Sequence, residues 1–423
     1  MHILFLTHYF PPEVNAPATR TFEHCRRWVK AGHQVTVITG APNCPHGKVF
    51  DGYTNRWRSE ETLDGVRVVR VWTYVAANKG FLRRIANYLS YMLIATLHAA
   101  RVPDVDLIVA TSPQFFCGWA GVLTKWLKRK PFVLEIRDLW PDSILAVGAM
   151  RKTPLIRLLE WLERRMYAAA KHIVTVGNDY RRGLVEKGVA WNKINVVPNG
   201  IDLADFRFDG NREQARGSFR LQDKFVCGYV GTVGMAHGLE VMLDAAELAK
   251  KHGRNDLLFW IVGDGARREE LQTEAVRRGL DNVVFTGLLP KALMPTVIAS
   301  CDAFLVHLRG AELFSTVLPS KIFEAMALEV PIICGVRGQA QEIVCESGAG
   351  VAMTPDVAEE LLDRIEIIQS AGRSSFGASD YLSRHFNRTT LAFEMLGILK
   401  TQADVPELDT TQEIELKKLR RAA

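Results

Sequence analysis

The sequence lacks the usual signs of a secreted, membrane-spanning or metal-binding protein. Its seven cysteines include no CxxC pair, which argues against a zinc site or a disulfide scaffold and indicates a reducing compartment. The first residues, MHILFLTHYF, carry no basic leader and no cleavage site. The apolar part of residues 81–101 is shorter than the about 20 residues that span a bilayer. These absences predict a cytoplasmic protein with no metal and no resident cofactor.

Common signatures for nucleotides and nucleic acids are also missing. There is no P-loop GxxxxGK[ST], and the glycine-rich turns do not follow the GxGxxG pattern. No basic recognition helix, zinc finger or aromatic RNA-binding motif is present, so nucleic acid is not an expected partner. The DxD within PDVD (103–106) precedes a strand candidate, and we interpret it as part of a turn.

Charge is distributed unevenly along the 423 residues. Residues 1–200 contain 28 Lys and Arg against 15 Asp and Glu, a net charge of +13. Residues 201–423 contain 25 against 32, a net charge of −7. This asymmetry indicates two lobes, of which the first faces an anionic partner such as a phosphorylated ligand or an acidic lipid surface.

Short β-branched apolar runs alternate with longer helix-period segments in two successive series. The alternation predicts an α/β fold of two doubly wound parallel sheets. We expect a first domain over residues 1–200, a second over 201–385, a helix at 386–400 and a polar tail at 401–423. The strand candidates are residues 2–8, 34–40, 66–72, 106–112, 132–136, 172–176 and 194–198 in the first series, and 224–231, 257–263, 283–287, 303–308, 331–335 and 350–353 in the second.

Ligands of open parallel sheets bind beyond the carboxyl ends of the strands, so loops that directly follow strand candidates are the place to look for a site. The turn GYVGTVGMAHG (228–238) lets backbone N–H groups approach a phosphate at a helix N-terminus, although such a turn is often no more than a tight turn. The turn VGDGARREEL (262–271) has the same form. We interpret its Arg267 and Arg268 as surface helix charge.

The segment LVHLRGAELFSTVLPSKIFEAMALEVPII (305–333) contains the sharpest signal. Pro319 and Ser320 mark a helix start, which places Lys321 and Glu324 in the first turn. A lysine there opposes the helix dipole unless an anion lies nearby, so Lys321 is a candidate phosphate ligand and Glu324 a candidate ribose ligand. The alternative is that Glu324 complements the dipole while Lys321 points to water. The preceding loop supplies further polar candidates, namely Arg309, Glu312, Ser315 and Thr316.

Two loops of the first series also contain clustered polar residues after a strand. FVLEIRDLWPDS (132–143) ends in Arg137, Asp138, Trp140 and Asp142, and charges at that position are often functional. THYFPPEVNAPATR (7–20) offers Glu13, Asn15 and Arg20.

Three basic, aromatic helix candidates in the first series suit a membrane interface: residues 81–101, 123–130 and 151–167. The alternative for residues 81–101 is an ordinary core helix between two strands.

Together these motifs resemble the family-4 retaining glycosyltransferases of GT-B fold, and within them the WbuB-like branch of bacterial surface-polysaccharide transferases. The resemblance covers nearly the whole chain and is carried by RDLWPDSILAVG (137–148), VVPNGID (196–202), GYVGTVGMAHGLE (228–240) and PSKIFEAMA (319–327). It implies two Rossmann-like domains facing across a cleft, with the nucleotide-sugar donor held mainly by the second. It also implies that the last helix crosses back onto the first domain.

The resemblance assigns roles to matching positions. Glu324 matches the glutamate that binds the donor ribose, and Asp138 belongs to the pair near the donor sugar. Asn15 and Ala16 replace a glycine pair in the first loop, where Glu13, Arg20 and Trp140 are further acceptor-side candidates. The remaining donor-side candidates are the diphosphate loop (Gly231, Thr232, Val233, Gly234, His237), the turn at Gly263, the base position (Gly287, Leu288, Leu289), and Ser315 and Ser320.

Four departures from the family pattern affect these roles. Thr316 stands where the first glutamate of the motif is usual, so Glu312 or backbone groups must bind the donor sugar. Thr232 and His237 replace an arginine and a lysine, Arg137 replaces a histidine, and Asn15-Ala16 replace glycines. Lys321 and Arg137 restore part of the lost positive charge and would stabilise the leaving diphosphate.

The expected function is a retaining, metal-independent transfer of an N-acetylated or 6-deoxy hexosamine from a UDP-sugar to a lipid-linked glycan, in O-antigen or capsule synthesis. The protein would be peripheral on the inner face of the cytoplasmic membrane. Two alternatives stay open: a GT-B epimerase or phosphorylase, and a non-catalytic scaffold of a polysaccharide-assembly complex.

Overall fold

A computed structural model describes residues 1–44, 47–75, 81–112, 114–140, 153–203, 206–221 and 223–403. It divides into two compact units: Met1–Asn199 together with the segment that begins at Arg388, and Gly200–Asn387. Asp142, Arg151, Lys152 and most of the predicted polar tail lie outside the described residues.

The described helices and strands of the first unit, up to its last helix, are β1 (His2–Leu6), α1 (Ala16–Lys30), β2 (Gln34–Gly40), β3 (Arg58–Leu63), β4 (Val66–Val71), α2 (Phe81–Ala100), β5 (Leu107–Thr111), α3 (Phe115–Lys128), β6 (Phe132–Ile136), α4 (Pro154–Ala169), β7 (His172–Thr175), α5 (Asn178–Glu186) and β8 (Ile194–Val196).

Those of the second unit are α6 (Arg212–Ser218), β9 (Phe225–Val230), α7 (Glu240–Lys251), β10 (Leu257–Val262), α8 (Arg268–Arg277), β11 (Val283–Gly287), α9 (Met294–Ala299), β12 (Ala303–His307), α10 (Lys321–Ala327), β13 (Ile332–Gly335), α11 (Gln339–Glu346), β14 (Gly350–Ala352), α12 (Ala358–Ala371) and α13 (Ser379–His385). The last described helix, α14 (Arg388–Gln402), belongs to the first unit.

Each unit is built on one sheet. In the first unit the described strands form an eight-stranded sheet in the order β3-β4-β2-β1-β5-β6-β7-β8, parallel except for β3, which pairs antiparallel with β4. In the second unit they form a six-stranded parallel sheet in the order β11-β10-β9-β12-β13-β14. The predicted pair of doubly wound parallel sheets is therefore confirmed. The edge strand β3 was not predicted.

Helices cover both faces of each sheet, which explains why the parallel strands are almost wholly apolar. In the first unit, α2, α3, α4 and α5 pack on one face, while α1 and α14 pack on the other. The indole Nε1 of Trp28 on α1 donates to the carbonyl oxygen of Ala392 on α14 at 2.8 Å. In the second unit, α9, α10, α11 and α13 cover one face and α7, α8 and α12 the other.

Among the described helices, none is both long enough and apolar enough to cross a bilayer. The longest, α2, buries Tyr91, Ala95 and Ala99 against the sheet and exposes Leu89, Leu93 and Leu97 on its outer side. It is therefore an amphipathic helix that also contributes to the core.

Candidate functional site

The order of the second sheet changes direction at its middle strands, because β9 lies between β10 and β12. In an open parallel sheet, a ligand crevice forms outside the carboxyl ends of the strands at that point. The loops that follow β9 and β12 are residues 231–239 and 308–320. The predicted donor-side residues of both loops therefore come to one edge of one sheet.

Two glycine turns pack backbone against backbone at this edge. Gly231 has φ 144° and Gly263 has φ 143°, values that side chains rarely adopt. A Cβ on Gly263 would overlap with the carbonyl oxygen of Gly231, and a Cβ on Gly265 with that of Val233. The amide of Val233 donates to the carbonyl oxygen of Asp264 at 2.9 Å. The glycines thus allow the turns after β9 and β10 to form one backbone-lined surface.

Lys321 is the first residue of α10, as predicted from Pro319 and Ser320, and Ser320 is the residue at its N-cap. The Nζ atom is buried and has no hydrogen-bond partner among the described residues. It lies 4.0 Å from the ring centroid of Tyr229, and a Cβ on Gly231 would lie 2.5 Å from it. Burial lowers the pKa of the Lys321 ammonium to about 8, with Glu324 acting in the opposite direction. A desolvated ammonium at a glycine turn is suited to binding an anion.

Thr232 and His237 line the same turn. The hydroxyl of Tyr229 donates to the carbonyl oxygen of Thr232 at 2.7 Å, which holds the turn against β9. His237 ends the 3₁₀ turn Met235–His237, and its Nδ1 is buried without a hydrogen-bond partner in the described chain. Burial and then the charge of Lys321 lower the pKa of His237 to about 4, so this imidazole is neutral at physiological pH.

Residues that sequence reasoning missed hold the 235–238 turn in place. His307, the last residue of β12, donates from Nδ1 to the carbonyl oxygen of His237 at 2.7 Å, and its Nε2 accepts from the amide of Asp356 at 2.9 Å. These two contacts require a neutral His307 imidazole with its proton on Nδ1. A histidine ending an apolar strand was the available signal for this role.

Arg309 supports the same turn from the loop after β12. Its amide donates to Ala236 O at 2.9 Å and its Nε to Met235 O at 2.7 Å, while Nη2 pairs with Glu240 at 2.7 Å. Glu240 also pairs with Arg267 at 2.7 Å. Arg309 therefore acts on the backbone of the diphosphate loop, and Arg267 is tied to the same carboxylate.

The loop between β12 and α10 contains the 3₁₀ turn Glu312–Thr316, in which Ser315 Oγ donates to Glu312 O at 2.6 Å. A Cβ on Gly338, which has φ 77°, would overlap with the carbonyl oxygen of Ser315. Glu312 is exposed, so its carboxylate is available to a ligand. Glu324 occupies the first turn of α10, as predicted.

The predicted base position lies at the end of β11. Gly287 has φ 76°, Leu288 is 79% exposed and Leu289 is half-buried. The guanidinium of Arg268 lies against Gly287, since a Cβ there would be 2.9 Å from its Nη1. The Nε atom of Arg268 also lies 3.5 Å from Oδ1 of Asp264. The side chain of Arg268 therefore lies at the carboxyl edge of the sheet, and its interpretation as surface helix charge stays a prediction.

In the first unit, a buried ion pair lies beside Arg137 at the end of β6. Arg20 Nε pairs with Glu135 Oε1 at 2.9 Å, and its other nitrogens donate to Val197 O at 2.8 Å and Pro198 O at 2.6 Å. The nitrogens of Arg20 are thus used within the protein, a structural role that the sequence did not reveal. The Nη1 of Arg137 is buried and without a hydrogen-bond partner in the described residues, and burial lowers the pKa of this guanidinium to about 10.

The other acceptor-side candidates of the first unit have local structural contacts. Glu13 is buried and accepts from the amides of Asn43 at 3.0 Å and Cys44 at 2.9 Å. Burial raises its pKa. The Asn15 side chain caps α1 by accepting from the amide of Ala18 at 2.9 Å, and Ala16 begins that helix. Their acceptor roles stay predictions.

The segment after β6 carries the remaining first-unit candidates. Asp138 directly follows Arg137, and the Trp140 ring lies 4.7 Å from that of Phe115 on α3. Trp140 thereby packs against the hydrophobic core of its unit. The roles of Asp138 and Trp140 in binding substrates also stay predictions.

Two family models match separate halves of the chain. The model described as "Glycosyl transferase 4-like domain" matches residues 15–200, and "Glycosyl transferases group 1" matches residues 224–370. The chain belongs to the family-4-type glycosyltransferases of GT-B fold. WcaI of Escherichia coli K12, a glycosyl transferase assigned to colanic acid biosynthesis, is 26% identical over 412 residues, which cover 95% of this chain and 100% of WcaI.

Another relative is similar in sequence, and two solved structures share the fold. A GDP-mannose-dependent alpha-mannosyltransferase of Mycolicibacterium smegmatis is 25% identical over 360 residues, 84% of this chain and 85% of that protein. Anabaena HepE in complex with UDP and glucose shares the fold with a TM-score of 0.71 and 19% identity, over 94% of this chain and 99% of HepE. The lipopolysaccharide glycosyltransferase WaaG has a TM-score of 0.63 at 16% identity, over 94% and 99% of the two chains.

Proposed function

We propose that this glycosyltransferase moves an N-acetylated or 6-deoxy hexosamine from a UDP-sugar to a lipid-linked glycan acceptor in cell-surface polysaccharide synthesis of the O-antigen or capsule type. The observation that carries the proposal is the buried Nζ of Lys321, which has no hydrogen-bond partner in the described chain and lies at the Gly231 turn. A diphosphate would neutralise this ammonium and accept from the surrounding backbone N–H groups. WcaI, a relative whose match covers 95% of this chain, is named for colanic acid biosynthesis.

The proposed reaction retains the anomeric configuration and needs no metal ion. Among the described residues, no cluster of His, Cys, Asp or Glu is suited to hold a metal ion. The bond between the anomeric carbon and the diphosphate oxygen breaks, and the acceptor oxygen bonds to that carbon on the same face. The acceptor proton passes to the departing phosphate oxygen. Lys321 stabilises the charge that develops on the diphosphate, while Glu324 accepts from the ribose hydroxyls.

The competing donor is GDP-mannose, because several relatives are named for it. We would compare UDP, GDP, dTDP and ADP by calorimetry, and then test nucleoside-diphosphate release with membrane extract as acceptor source. We expect the tightest binding and acceptor-dependent release with UDP and UDP-sugars. Preference for GDP would overturn the donor assignment, and binding without release beside a competent acceptor would favour the scaffold. Lys321→Met should lose binding, whereas Lys251→Met, which alters the last residue of α7 at the end remote from the 231–239 loop, should not.

The membrane part of the proposal rests on the outer side of α2, α3 and α4, which pack on the same face of the first sheet. These helices expose large apolar side chains, whereas their acidic residues are limited to Glu160 and the buried Glu163. The exposed apolar residues are Leu89, Leu93, Leu97, Trp126, Leu127, Leu155, Leu158 and Trp161. The basic residues of the same helices are Arg83, Arg84, Lys125, Lys128, Arg157, Arg164 and Arg165. Apolar and cationic side chains on one face suit an anionic lipid surface.

Vesicle flotation tests this surface directly. Wild-type protein should float with vesicles that contain anionic phosphatidylglycerol and less with neutral phosphatidylcholine, with a dependence on salt. Trp161→Ser with Leu158→Ser should reduce flotation severalfold. Val276→Ser, which alters a 77% exposed residue of the second unit, is the matched control and should change nothing. Absence of flotation with anionic vesicles would contradict the membrane proposal and leave the donor assignment intact.

A further inference from the structure

Tyr229 makes two different contacts at the Gly231 turn. The residue lies on β9 and is completely buried. Its hydroxyl donates to the carbonyl oxygen of Thr232 at 2.7 Å. Its ring lies against the Nζ of Lys321, with 4.0 Å between the nitrogen and the ring centroid. The hydrogen bond of the hydroxyl is all that an ordinary core tyrosine needs. The contact with Lys321 additionally places a cation on the negative face of the ring.

Three groups from three elements act on the ammonium of Lys321. The ring of Tyr229 on β9 is in contact with it, while the imidazole of His237 in the 3₁₀ turn and the carboxylate of Glu324 on α10 interact with it electrostatically. His237 is neutral because burial lowers its pKa to about 4. Glu324 attracts the ammonium toward its own helix. An ammonium that paired fully with Glu324 would be neutralised before a donor arrived.

The ring of Tyr229 is itself fixed in place. The rings of His237 and Tyr229 lie 6.1 Å apart at an angle of 72°, an edge arrangement. Burial raises the pKa of the Tyr229 phenol, so the ring stays neutral. The absence of a side chain at Gly231 leaves the space that the Nζ of Lys321 requires. Ring, glycine and lysine therefore form one packed unit.

We infer that Tyr229 is a positioning residue, whose ring face holds the charged side chain of Lys321 at the diphosphate turn in the donor-free protein while its hydroxyl holds the turn itself. The inference deepens the proposed function, since it explains how a phosphate-binding lysine stays at the turn before the donor binds. The attraction between cation and ring opposes the effect of burial, which lowers the pKa of Lys321 to about 8. A ring with less electron density should therefore lower this pKa further.

The test is a pH titration of Lys321 in the full-length, donor-free protein. Lysine labelled with ¹³C at Cε would be followed by NMR, and Lys321→Met would assign the signal. Tyr229→Phe keeps the ring and should leave the Lys321 pKa unchanged. Replacing Tyr229 by tetrafluorophenylalanine keeps the shape of phenylalanine but removes the negative ring face. We expect it to lower the Lys321 pKa by about half to one unit relative to Tyr229→Phe. Equal pKa values in these two variants would overturn the inference.

A second measurement separates the two functions of Tyr229. Tyr229→Phe loses the hydrogen bond to Thr232 and should weaken UDP binding to a similar extent at pH 7 and pH 9. The fluorinated variant should weaken UDP binding further, mainly at pH 9. An identical pH dependence in both variants would contradict the positioning role. If wild-type protein binds no nucleoside diphosphate, the proposed donor fails, while the titration of the donor-free protein still decides the role of Tyr229.

Discussion

The carbonyl oxygen of Gly231 occupies the space that a side chain on Gly263 would need, so two turns from neighbouring strands are in backbone contact. Neither residue is adjacent in sequence to Lys321, yet Gly231 lies beside its ammonium and Gly263 packs directly against Gly231. The turn at which we propose that the diphosphate binds is thus built from close backbone packing, and the positions where a methyl group would disrupt it can be named.

The first prediction is that Gly263→Ala damages both the fold and donor binding. The added methyl would clash with Gly231, and overpacking of this kind costs about 1–3 kcal/mol of unfolding free energy. Gly279→Ala is the matched control, because Gly279 also has a positive φ, 65°, but has nothing within 4 Å of a Cβ. It should cost only about 1 kcal/mol through backbone strain and leave UDP binding unchanged. Urea unfolding and calorimetry measure both effects, and equal losses in the two variants would contradict the packing argument.

The second prediction concerns the pH dependence of donor binding. The pKa of Lys321 is lowered to about 8, so its charged form dominates below pH 8 and is lost as the pH rises through that value. A bound diphosphate raises this pKa, so binding takes up a proton above pH 8. The UDP dissociation constant should therefore increase by up to about tenfold per pH unit above pH 8. Lys321→Arg should abolish this increase of the dissociation constant above pH 8, because a guanidinium group stays charged in that range. A flat wild-type profile between pH 7 and pH 9 would contradict the assignment.

Most of the fold was predictable because buried parallel strands are continuous apolar runs. Every residue of LLFWIV in β10 and of AFLVH in β12 is buried, so the pattern and the length of the apolar run identify these strands. The strand β3, RSEETL, was missed because it lies at the sheet edge and alternates between exposed and half-buried residues. A polar edge strand has no apolar run by which to recognise it.

The site was predictable only in part. The position of Lys321 in a first helical turn conflicts with the helix dipole, and such a local conflict is visible in sequence. Tyr229 and His307 look like ordinary strand residues, and their roles come from contacts with residues 92 and 70 positions away. Arg20 looks like an available loop cation, but its partner Glu135 is 115 positions distant. Long-range pairing of this kind leaves no local pattern.

The third prediction is that Arg309 acts on donor binding through the backbone. Arg309→Met removes the hydrogen bond to Met235 O and the ion pair with Glu240. Because this guanidinium is partly exposed, the cost in unfolding free energy should stay below about 1 kcal/mol. The 235–238 turn should loosen, however, and UDP affinity should fall by about three- to tenfold. Arg277→Met, which breaks an exposed pair with Glu274 on α8, is the control and should leave affinity unchanged. An unchanged affinity in Arg309→Met would show that the turn needs no such support.

The fourth prediction concerns the stability of the first unit. Burial opposes ionisation of Glu135, but Arg20 and Arg137 hold its pKa below the ordinary value of a glutamate. A lowered pKa means that the carboxylate stabilises the fold at neutral pH and that this contribution is lost as the pH falls through the folded-state pKa. Glu135→Leu leaves Arg20 buried without its carboxylate, and the expected loss is about 3–5 kcal/mol at pH 7.

The double variant Arg20→Leu with Glu135→Leu distinguishes the loss of the ion pair itself from the cost of leaving one buried charge without its partner. Since removing both charges leaves no uncompensated ion, it should recover part of the stability lost in Glu135→Leu. Urea unfolding at pH 7 and pH 5, followed by tryptophan fluorescence, measures the series, and the penalty of Glu135→Leu should persist at pH 5, because both pH values lie above the lowered pKa of Glu135. A double variant less stable than both single variants would mean that the hydrogen bonds from Arg20 to Val197 and Pro198 stabilise the unit more than the ion pair does.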